Sequence, residues 1–173
     1  DLDAAERNGT EALALLEAPV GPEAAAILGK LSVIARRRNE LDLAHVRREE
    51  ALGASRGRDH TETARCHLRL GYLEHALGRY ARSHTSFSRS IEIADRLDER
   101  DMVHLASCAR ALLTYETDGL DAALPTCASL VENGRRMGLP AAGASLCLAL
   151  AIRAVGEDRI ATAQQLVGEC RGL

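Results

Sequence analysis

The sequence predicts an all-α fold, a solenoid of antiparallel helix hairpins, from two observations. The first is that similar segments begin every 39 or 40 residues along the chain. Their anchors are Leu2, Leu41, Tyr80, Leu120 and Ile160, and the small residues three positions later are Ala5, Ala44, Ser83, Ala123 and Ala163. Repeats of this length are typical of proteins whose units stack on their neighbours. The second is composition: 46% of the 173 residues are hydrophobic and only 2% are aromatic, so Ala and Leu, the strongest helix formers, build the core.

Breaks between the periodic segments define the individual helices. A proline- and glycine-containing stretch over 18–22 ends the first helix, and Pro22 suits the first turn of the second. The later breaks fall at 38–40, 53–60, 78–79, 118–119 and 138–140. Asp101 is a candidate cap for the sixth helix, and Pro125 predicts a late start or a mild bend in the seventh because it lacks a backbone N–H. The predicted elements are a leading helix over 2–17 and hairpins over 22–54, 61–97, 101–136 and 140–171.

Residues 64–95 carry the sharpest repeat pattern. It consists of a Leu-Gly pair on the first helix, a glycine and an aromatic at the turn, and a small residue four positions before an aromatic on the second helix. These are Leu70-Gly71, Gly78-Arg79-Tyr80 and Ser83-x-x-x-Phe87. The segment resembles a tetratricopeptide repeat. The resemblance implies that Gly71 lets the paired helix approach closely, with Tyr80 and Phe87 filling the space beside it.

The other units resemble the repeat more weakly. In the unit that begins at Leu41, Arg48 stands where the repeat has an aromatic residue. Within 64–95 itself, Glu74 stands where the repeat prefers Tyr. Units of about 40 residues resemble those in the C-terminal sensor regions of large LuxR-type and related bacterial transcriptional regulators, and also those of peptide-sensing regulators and kinesin light chains. High Ala, Arg and Gly usage with little Lys favours a GC-rich bacterial source and the first group. We expect one domain over 1–173, cut from a longer protein because the chain begins where the second helix of a unit would begin.

The resemblance also implies a right-handed solenoid whose first helices line a concave ligand groove. Residues three or four positions apart on one helical face form the stripe along that groove. In its N-terminal half, rich in cations, the stripe contains Lys30, Val33, Arg36, Arg37, Arg65, Leu68, Arg69, Tyr72 and His75. In its apolar C-terminal half it contains Leu105, Cys108, Leu112, Tyr115, Leu148 and Ile152.

This groove predicts a scaffold that binds a protein or peptide carrying acidic residues and apolar anchors. Arginine forks bind carboxylates, and apolar side chains gain from burial. As the sensor arm of a bacterial transcriptional regulator, the scaffold would pass ligand binding to a switch domain. Two alternatives stay open: the apolar half is a homodimer interface of an architectural self-association module, or the charges are solvated and the next repeat covers the apolar residues.

Other function classes find little support in the sequence. The net charge is −3, and the arginine run at 36–38, with Arg47, Arg48, Arg56 and Arg58 nearby, is interrupted by acidic residues and has no aromatics for base stacking. We therefore expect no direct contact with nucleic acid. An apolar run long enough to span a membrane is also missing from the sequence. The five cysteines lack a Cys-x-x-Cys pair and are expected to be buried core residues in a reducing cytoplasm.

Catalytic and metal-binding patterns are equally weak. His104 with Cys108, and His45 with Glu49, each supply two potential zinc ligands four residues apart, where a structural site needs four. The sequence contains neither a nucleophile elbow nor a phosphate loop. We therefore expect a protein that is not an enzyme and uses no metal or cofactor.

Overall fold

The computed structural model describes residues 1–17, 20–55 and 60–171, and over these ranges the chain forms nine α-helices and no strands. The helices are α1 Leu2–Ala14, α2 Pro22–Arg37, α3 Leu41–Ala54, α4 Thr61–Ala76, α5 Tyr80–Arg96, α6 Arg100–Asp118, α7 Leu120–Met137, α8 Pro140–Gly156 and α9 Ile160–Arg171. The predicted all-α class and the order of the helices are confirmed. The predicted breaks at 18–22 and 53–60 lie partly outside the described residues. Within the described part of the chain, each helix is too short or too polar to cross a bilayer.

Two helices are shorter than the sequence predicts. α1 ends at Ala14 instead of residue 17, because the amide of Leu16 bonds to the carbonyl of Leu13, three residues back, and this tighter turn stops the helix. The sequence predicts that the last helix runs over 158–171, but α9 begins at Ile160. Asp158 has φ of 59°, in the left-handed region, so it belongs to the turn before the helix.

The predictions for α6 and α7 also need correction. Asp101 lies inside the first turn of α6, where its carboxylate accepts a hydrogen bond from the Met102 amide at 2.8 Å. The late start predicted from Pro125 is wrong, since α7 already begins at Leu120. Gly119, with φ of 87°, makes the turn immediately before it, and the exposed proline removes only one backbone donor from the early part of the helix.

Five of the turns between successive helices share one construction. Asn39, Gly78, Asp98, Gly138 and Asp158 all have φ between 55° and 70°. The next residue after each donates its amide to a carbonyl five residues back, at 2.8 to 3.0 Å. This closes the end of the preceding helix in a Schellman arrangement, which Gly, Asn and Asp accommodate most readily.

The chain divides into two compact units, residues 1–99 with α1–α5 and residues 100–173 with α6–α9. Both are built from antiparallel hairpins: α2 packs on α3 and α4 on α5 in the first unit, and α6 packs on α7 and α8 on α9 in the second. The expectation of a single domain over 1–173 stays a prediction.

Each hairpin carries two small buried residues, one on each helix and twelve positions apart in the sequence. These pairs, spaced by the repeat, are Ser32 with Ala44, Gly71 with Ser83, Ala111 with Ala123, and Ala151 with Ala163. In two hairpins a serine hydroxyl donates across the joint: Ser32 Oγ to the Ala44 carbonyl at 2.7 Å, and Ser83 Oγ to the Gly71 carbonyl at 2.8 Å. The serine occupies α2 in one hairpin and α5 in the other. The repeat therefore keeps a small buried residue at these positions, while the residue type changes from unit to unit.

Gly71 makes the closest approach to a neighbouring helix among the described glycines. A Cβ atom at this position would lie 2.5 Å from Cδ1 and Cε1 of Phe87, a buried ring on α5. Tyr72 packs edge-on against the same ring, with 5.2 Å between the ring centroids. Tyr80 packs beside His75 at 5.7 Å. The close approach predicted for Gly71 is confirmed.

The thiols of the second unit lie within its core. Cys108, Cys127 and Cys147 are buried as expected, and the Sγ atoms of Cys127 and Cys147 are 3.6 Å apart. Burial raises the pKa of Cys108 from 9.0 to about 12. The pKa of Cys147 is raised further, by its hydrogen bond with Cys127 and by burial. Cys108 and Cys147 are therefore neutral packing residues at ordinary pH.

The pKa of Cys108 predicts a loss of stability in base. The folded state retains the thiol proton at pH values where the unfolded chain releases it, so this contribution is complete below pH 9 and falls as the pH rises toward 12. Between pH 9 and about 10.5, we expect wild type to lose about 2 kcal/mol more unfolding free energy than Cys108→Ala. Urea unfolding at both pH values measures this difference. Equal losses in wild type and in Cys108→Ala would contradict a raised pKa of Cys108 in the folded protein.

Candidate functional site

The basic residues of the predicted groove lie on two helices of the first unit that pack side by side, α2 and α4. We call this surface the cationic face; it consists of Lys30, Arg36, Arg37, Arg65 and Arg69. The three α2 residues are exposed, and the two α4 residues are half-buried. Of the other predicted groove residues on these helices, Val33 and His75 are half-buried and Tyr72 is 42% exposed.

One acidic residue lies within the cationic face. Glu62 accepts a bond from Arg65 at 2.9 Å, and its side chain is 15% exposed. Lys30, Arg36, Arg37 and Arg69 form no ion pair with any residue in the described part of the chain. Four cationic side chains thus have no carboxylate partner among the described residues. The fifth, Arg65, is already paired with Glu62. The surface is suited to an anionic ligand.

A buried arginine lies beneath this face. Arg48 of α3 is 1% exposed, its Nη2 donates to the Gly29 carbonyl at 2.7 Å, and its Nη1 approaches the Cys66 sulfur at 3.6 Å. Burial lowers the pKa of the guanidinium. A Cβ on residue 29 would lie 2.8 Å from Nη1, so glycine leaves the space that the head group needs. In the sequence, Arg48 is noticeable because it replaces the aromatic residue of the repeat. The sequence did not show that its side chain is buried.

A second buried polar group joins three helices of the first unit. Glu74 of α4 is 3% exposed, and its Oε1 lies 2.7 Å from His45 Nε2 on α3. Its carboxylate also lies 3.6 Å from Arg79 and 3.9 Å from Arg82, next to and on α5. Glu74, at the position where the repeat prefers tyrosine, therefore links α3, α4 and α5 through polar and electrostatic contacts. The sequence showed the departure from the repeat but gave no partner for it.

Two predicted groove residues are not accessible. Leu68 and Cys108 are 4% and 5% exposed, so they belong to the interior and the groove assignment is corrected for both. For Cys108, the packing of the second unit explains the burial. Cys108 belongs to a core that includes Leu146 and Leu150 of α8, and Leu112 and Tyr115 are partly buried against it.

α8 covers this part of α6 closely. Arg153 of α8 lies over the Tyr115 ring at 5.1 Å from its centroid, and its Nε donates to Glu116 at 3.1 Å. A hydrogen bond to Glu157 raises the pKa of Tyr115. Within the second unit, the alternative that the next repeat covers the apolar stripe is therefore correct for Cys108, Leu112 and Tyr115.

The remaining apolar groove residues are exposed. Leu105 is 39% exposed, Leu148 54% and Ile152 63%. Leu148 and Ile152 line a cavity of about 490 Å³ between α8 and α9. We call its large aliphatic residues the open apolar face: Leu148, Ile152, Val155, Ile160 and Val167. Sequence reasoning missed the α9 side of this surface because it considered only the first helix of each hairpin.

The arginine run considered for phosphate binding is dispersed. Arg38 pairs with Asp3 and Glu6 of α1, Arg47 pairs with Glu50 at 2.9 Å, and Arg48 is buried. Arg56 and Arg58 lie outside the described residues.

The two candidate metal pairs have other roles. The buried His104 has its Nε2 3.8 Å from the Cys108 sulfur, and burial lowers the pKa of this histidine. His45 bonds to Glu74, with Glu49 farther away at 3.8 Å. Within the ranges that the structure covers, His, Cys, Asp and Glu side chains do not gather in groups of three or more that could hold a metal ion.

The sequence matches no family model and no curated protein. Solved structures do match. BtubC (BKLC) from P. vanneervenii is similar over 99% of this chain and 72% of its own, with a TM-score of 0.81 and 19% identity. The nearly identical TPR-like repeats of a Podosopora anserina protein described as a kinesin light chain are also similar. The similarity covers 99% of this chain and 84% of that protein, with a TM-score of 0.71 and 14% identity.

A third similar structure is the Rap conjugation gene regulator of the plasmid pLS20, in complex with the Phr* peptide. It matches over 98% of this chain and 46% of its own, with a TM-score of 0.74 and 13% identity. At such identities the likeness shows the fold. This chain therefore has the fold of tetratricopeptide-like repeat proteins, an all-α solenoid of antiparallel helix hairpins.

Proposed function

We propose that this chain is a scaffold that binds a protein or peptide, and that its cationic face on α2 and α4 holds an acidic segment of that ligand. The observation that carries the proposal is the set of four basic side chains without a carboxylate partner among the described residues. The likeness to a Rap protein in complex with a peptide supports the class of ligand.

The face has the chemistry to select carboxylates. Arg36, Arg37 and Arg69 offer planar guanidinium forks, which bind carboxylates through two parallel hydrogen bonds. Arg48 adds positive charge beneath the face, where the protein interior screens it less than water would. Val33, which is half-buried, and Tyr72, which is exposed, provide apolar surface between the charged side chains. An acidic peptide with an apolar side chain next to its carboxylates fits this surface best.

The broader role we propose is the ligand-sensing arm of a bacterial transcriptional regulator in the cytoplasm. A peptide that spans α2 and α4 would favour one arrangement of neighbouring hairpins over another. It could shift that equilibrium only as far as its affinities for the two arrangements differ. Hydrogen exchange of the first unit with and without peptide would detect such a change.

Charge reversal tests the binding surface. The probes are three fluorescein-labelled peptides of equal length with two leucines at one end, the rest being rich in Glu, in Gln or in Lys. We expect the Glu peptide to bind tightest by anisotropy and its affinity to fall with salt. Arg36→Glu combined with Arg69→Glu should weaken the Glu peptide at least about tenfold, about 1.4 kcal/mol.

The control reverses two charges elsewhere. Arg135→Glu combined with Arg136→Glu changes the net charge by the same amount, at two exposed positions on α7. We expect this variant to bind the Glu peptide almost as wild type does, because neither residue belongs to the cationic face. Equal weakening by both double variants would reject the cationic face as the site, as would equal binding of the three peptides.

Self-association is a second candidate function, favoured by the exposure of Leu105, Leu148 and Ile152. Large apolar side chains on a surface are typical of interfaces. Sedimentation velocity over a range of protein concentrations tests it. A concentration-dependent dimer that Leu148→Asp dissociates would support an architectural module, whereas a monomer throughout would remove this candidate.

A further inference from the structure

The acidic residue within the cationic face, Glu62, differs from the other glutamates that pair along a helix. It lies in the first turn of α4, and its side chain is 15% exposed where it pairs with Arg65, three residues later. In the other described pairs at this spacing, the side chains of Glu50, Glu92 and Glu132 are 44% to 60% exposed. Those pairs lie in solvent, whereas the carboxylate of Glu62 lies deeper, towards α2.

The two oxygens of this carboxylate have different neighbours. Oε2 accepts a hydrogen bond from Arg65 Nη1 at 2.9 Å. Oε1 lies on the inner side, where the Cys66 thiol donates to it at 3.9 Å. The Cys66 sulfur in turn lies 3.6 Å from Nη1 of Arg48. A single thiol therefore connects Glu62 to the buried guanidinium.

Gly29 of α2 leaves the space in which these groups meet. A Cβ at residue 29 would lie 3.4 Å from Glu62 Oε1 and 2.8 Å from Arg48 Nη1. Both charged groups therefore border one small volume where α2 packs against α4. A larger residue on α2 would exclude them from it.

Arg48 has no carboxylate partner of its own. Its head group bonds to the Gly29 carbonyl and the Cys66 sulfur, and its Nε has no hydrogen-bond partner among the described residues. Burial lowers the pKa of Arg48, and the charge of Glu62 opposes that change. A buried cation with so little compensation favours an anion nearby. Glu62 supplies such a charge from the chain itself.

The position of Glu62 is also favourable for a carboxylate of a ligand. Arg65 and Arg69 flank it on α4, and Arg48 lies beneath it. A second carboxylate placed beside Glu62 would be repelled, because like charges disfavour each other strongly in a partly buried site. Rotation of the Glu62 side chain towards solvent breaks its contacts with Arg65 and Cys66, and an incoming carboxylate replaces both.

We propose that Glu62 is an internal competitor of the ligand: its carboxylate occupies the position where a carboxylate of the acidic segment binds, and the ligand binds by displacing it. This role of Glu62 rests on the function proposed for the cationic face. A single small anion does not displace Glu62, whose attachment to the chain gives it a high effective concentration. A segment with several carboxylates does, because the other basic residues of the face hold its remaining charges.

Chemical rescue tests the carboxylate position without any peptide. Glu62→Ala leaves space beside Arg48 and Arg65, and we expect this variant to unfold at a lower temperature than wild type. Sodium formate, compared with sodium chloride at equal concentration, should raise its midpoint of thermal unfolding. The rise should be about 3 °C or more once formate is about tenfold above its dissociation constant. Wild type should show a much smaller difference between the two salts, because Glu62 already occupies the position.

Glu132→Ala is the matched control. Glu132 pairs with Arg135 at 3.1 Å and at the same spacing, but its side chain is 51% exposed and it lies on α7. Formate and chloride should affect this variant as they affect wild type. A formate effect of equal size in both alanine variants, or none in Glu62→Ala, would overturn the proposal.

Glu62→Gln provides a second test, and it decides the question if the alanine variant does not fold. It keeps the shape of the side chain and removes the charge. We expect the Glu peptide to bind this variant about fivefold more tightly than wild type, and the Gln peptide to bind both equally. The gain should persist in about 0.5 M sodium chloride, where distant charges are screened. An unchanged affinity, or a gain that disappears in high salt, would contradict displacement.

These results separate the role of Glu62 from the proposed function. Equal binding of the Glu, Gln and Lys peptides to wild type, together with rescue of Glu62→Ala by formate, would reject the acidic-segment function and keep the carboxylate position. A preference of wild type for the Glu peptide, with neither rescue nor the Glu62→Gln gain, would reject the role of Glu62 alone.

Discussion

Replacing Gly71 by valine is expected to lower the free energy of unfolding by about 3 kcal/mol. The Cβ of the new side chain would occupy space 2.5 Å from two ring atoms of Phe87, and its two methyl groups would add to the overlap. Phe87 is 1% exposed and also contacts Tyr72, so its ring has little room to move. Urea unfolding followed by circular dichroism measures the change.

Gly53 provides the matched control for this substitution. It lies in α3, and apart from its own stretch of helix no atom of the described residues lies within 4 Å of the position that a Cβ would take. Gly53→Val should change stability by no more than about 0.5 kcal/mol, because valine is a slightly better helix former than glycine. A loss at Gly53 as large as that at Gly71 would show that backbone propensity, rather than the ring, determines the effect.

A double-mutant cycle then assigns the cost to Phe87. Phe87→Ala alone should cost about 3–5 kcal/mol through the cavity that it leaves. Combined with Gly71→Val, the total should be clearly smaller than the sum of the two losses, since the valine fills space that the ring vacates. Additive losses would mean that the two residues do not compete for the same space.

Replacing Glu74 by alanine is expected to cost about 1–3 kcal/mol, the range for leaving a buried polar group without its hydrogen-bond partner. The carboxylate bonds to His45 at 2.7 Å and lies near Arg79 and Arg82, so its loss leaves His45 without its buried partner. The same substitution also opens space at the junction of α3, α4 and α5. Thermal and urea unfolding should both register the loss.

Glu49 is the comparison for Glu74. It lies 3.8 Å from the other nitrogen of His45, and its side chain is 60% exposed. Glu49→Ala should therefore change stability by less than about 1 kcal/mol, as is usual for exposed ion pairs. If the two alanine variants were equally stable, the buried carboxylate would have no special role in joining the hairpins.

Much of the fold could be predicted from the sequence because periodic small residues and turn residues determine local structure. Asn39, Gly78 and Gly138 ended helices where expected, since these residue types adopt positive φ readily. The start of α9 was missed because Asp158 adopts the same conformation, which aspartate does less often than glycine.

The candidate site was harder to predict because accessibility depends on neighbouring hairpins. Leu68 and Cys108 lie on the expected helical stripe, yet both are buried. The period of a helix shows which residues share a face but does not show which part of that face the next hairpin covers. Arg48 and Glu74 illustrate a related limit: both depart from the repeat, but their buried partners come from other helices and are not visible in local sequence.

The position of a bound acidic peptide tests the central claim most directly. The Glu-rich probe, carrying a photoreactive group at its acidic end, would be cross-linked to the protein and the product mapped by mass spectrometry. We predict cross-links within 30–37 and 65–75 that the Arg36→Glu, Arg69→Glu variant loses. Cross-links confined to 148–167, or unchanged in that variant, would contradict binding of the acidic segment on α2 and α4.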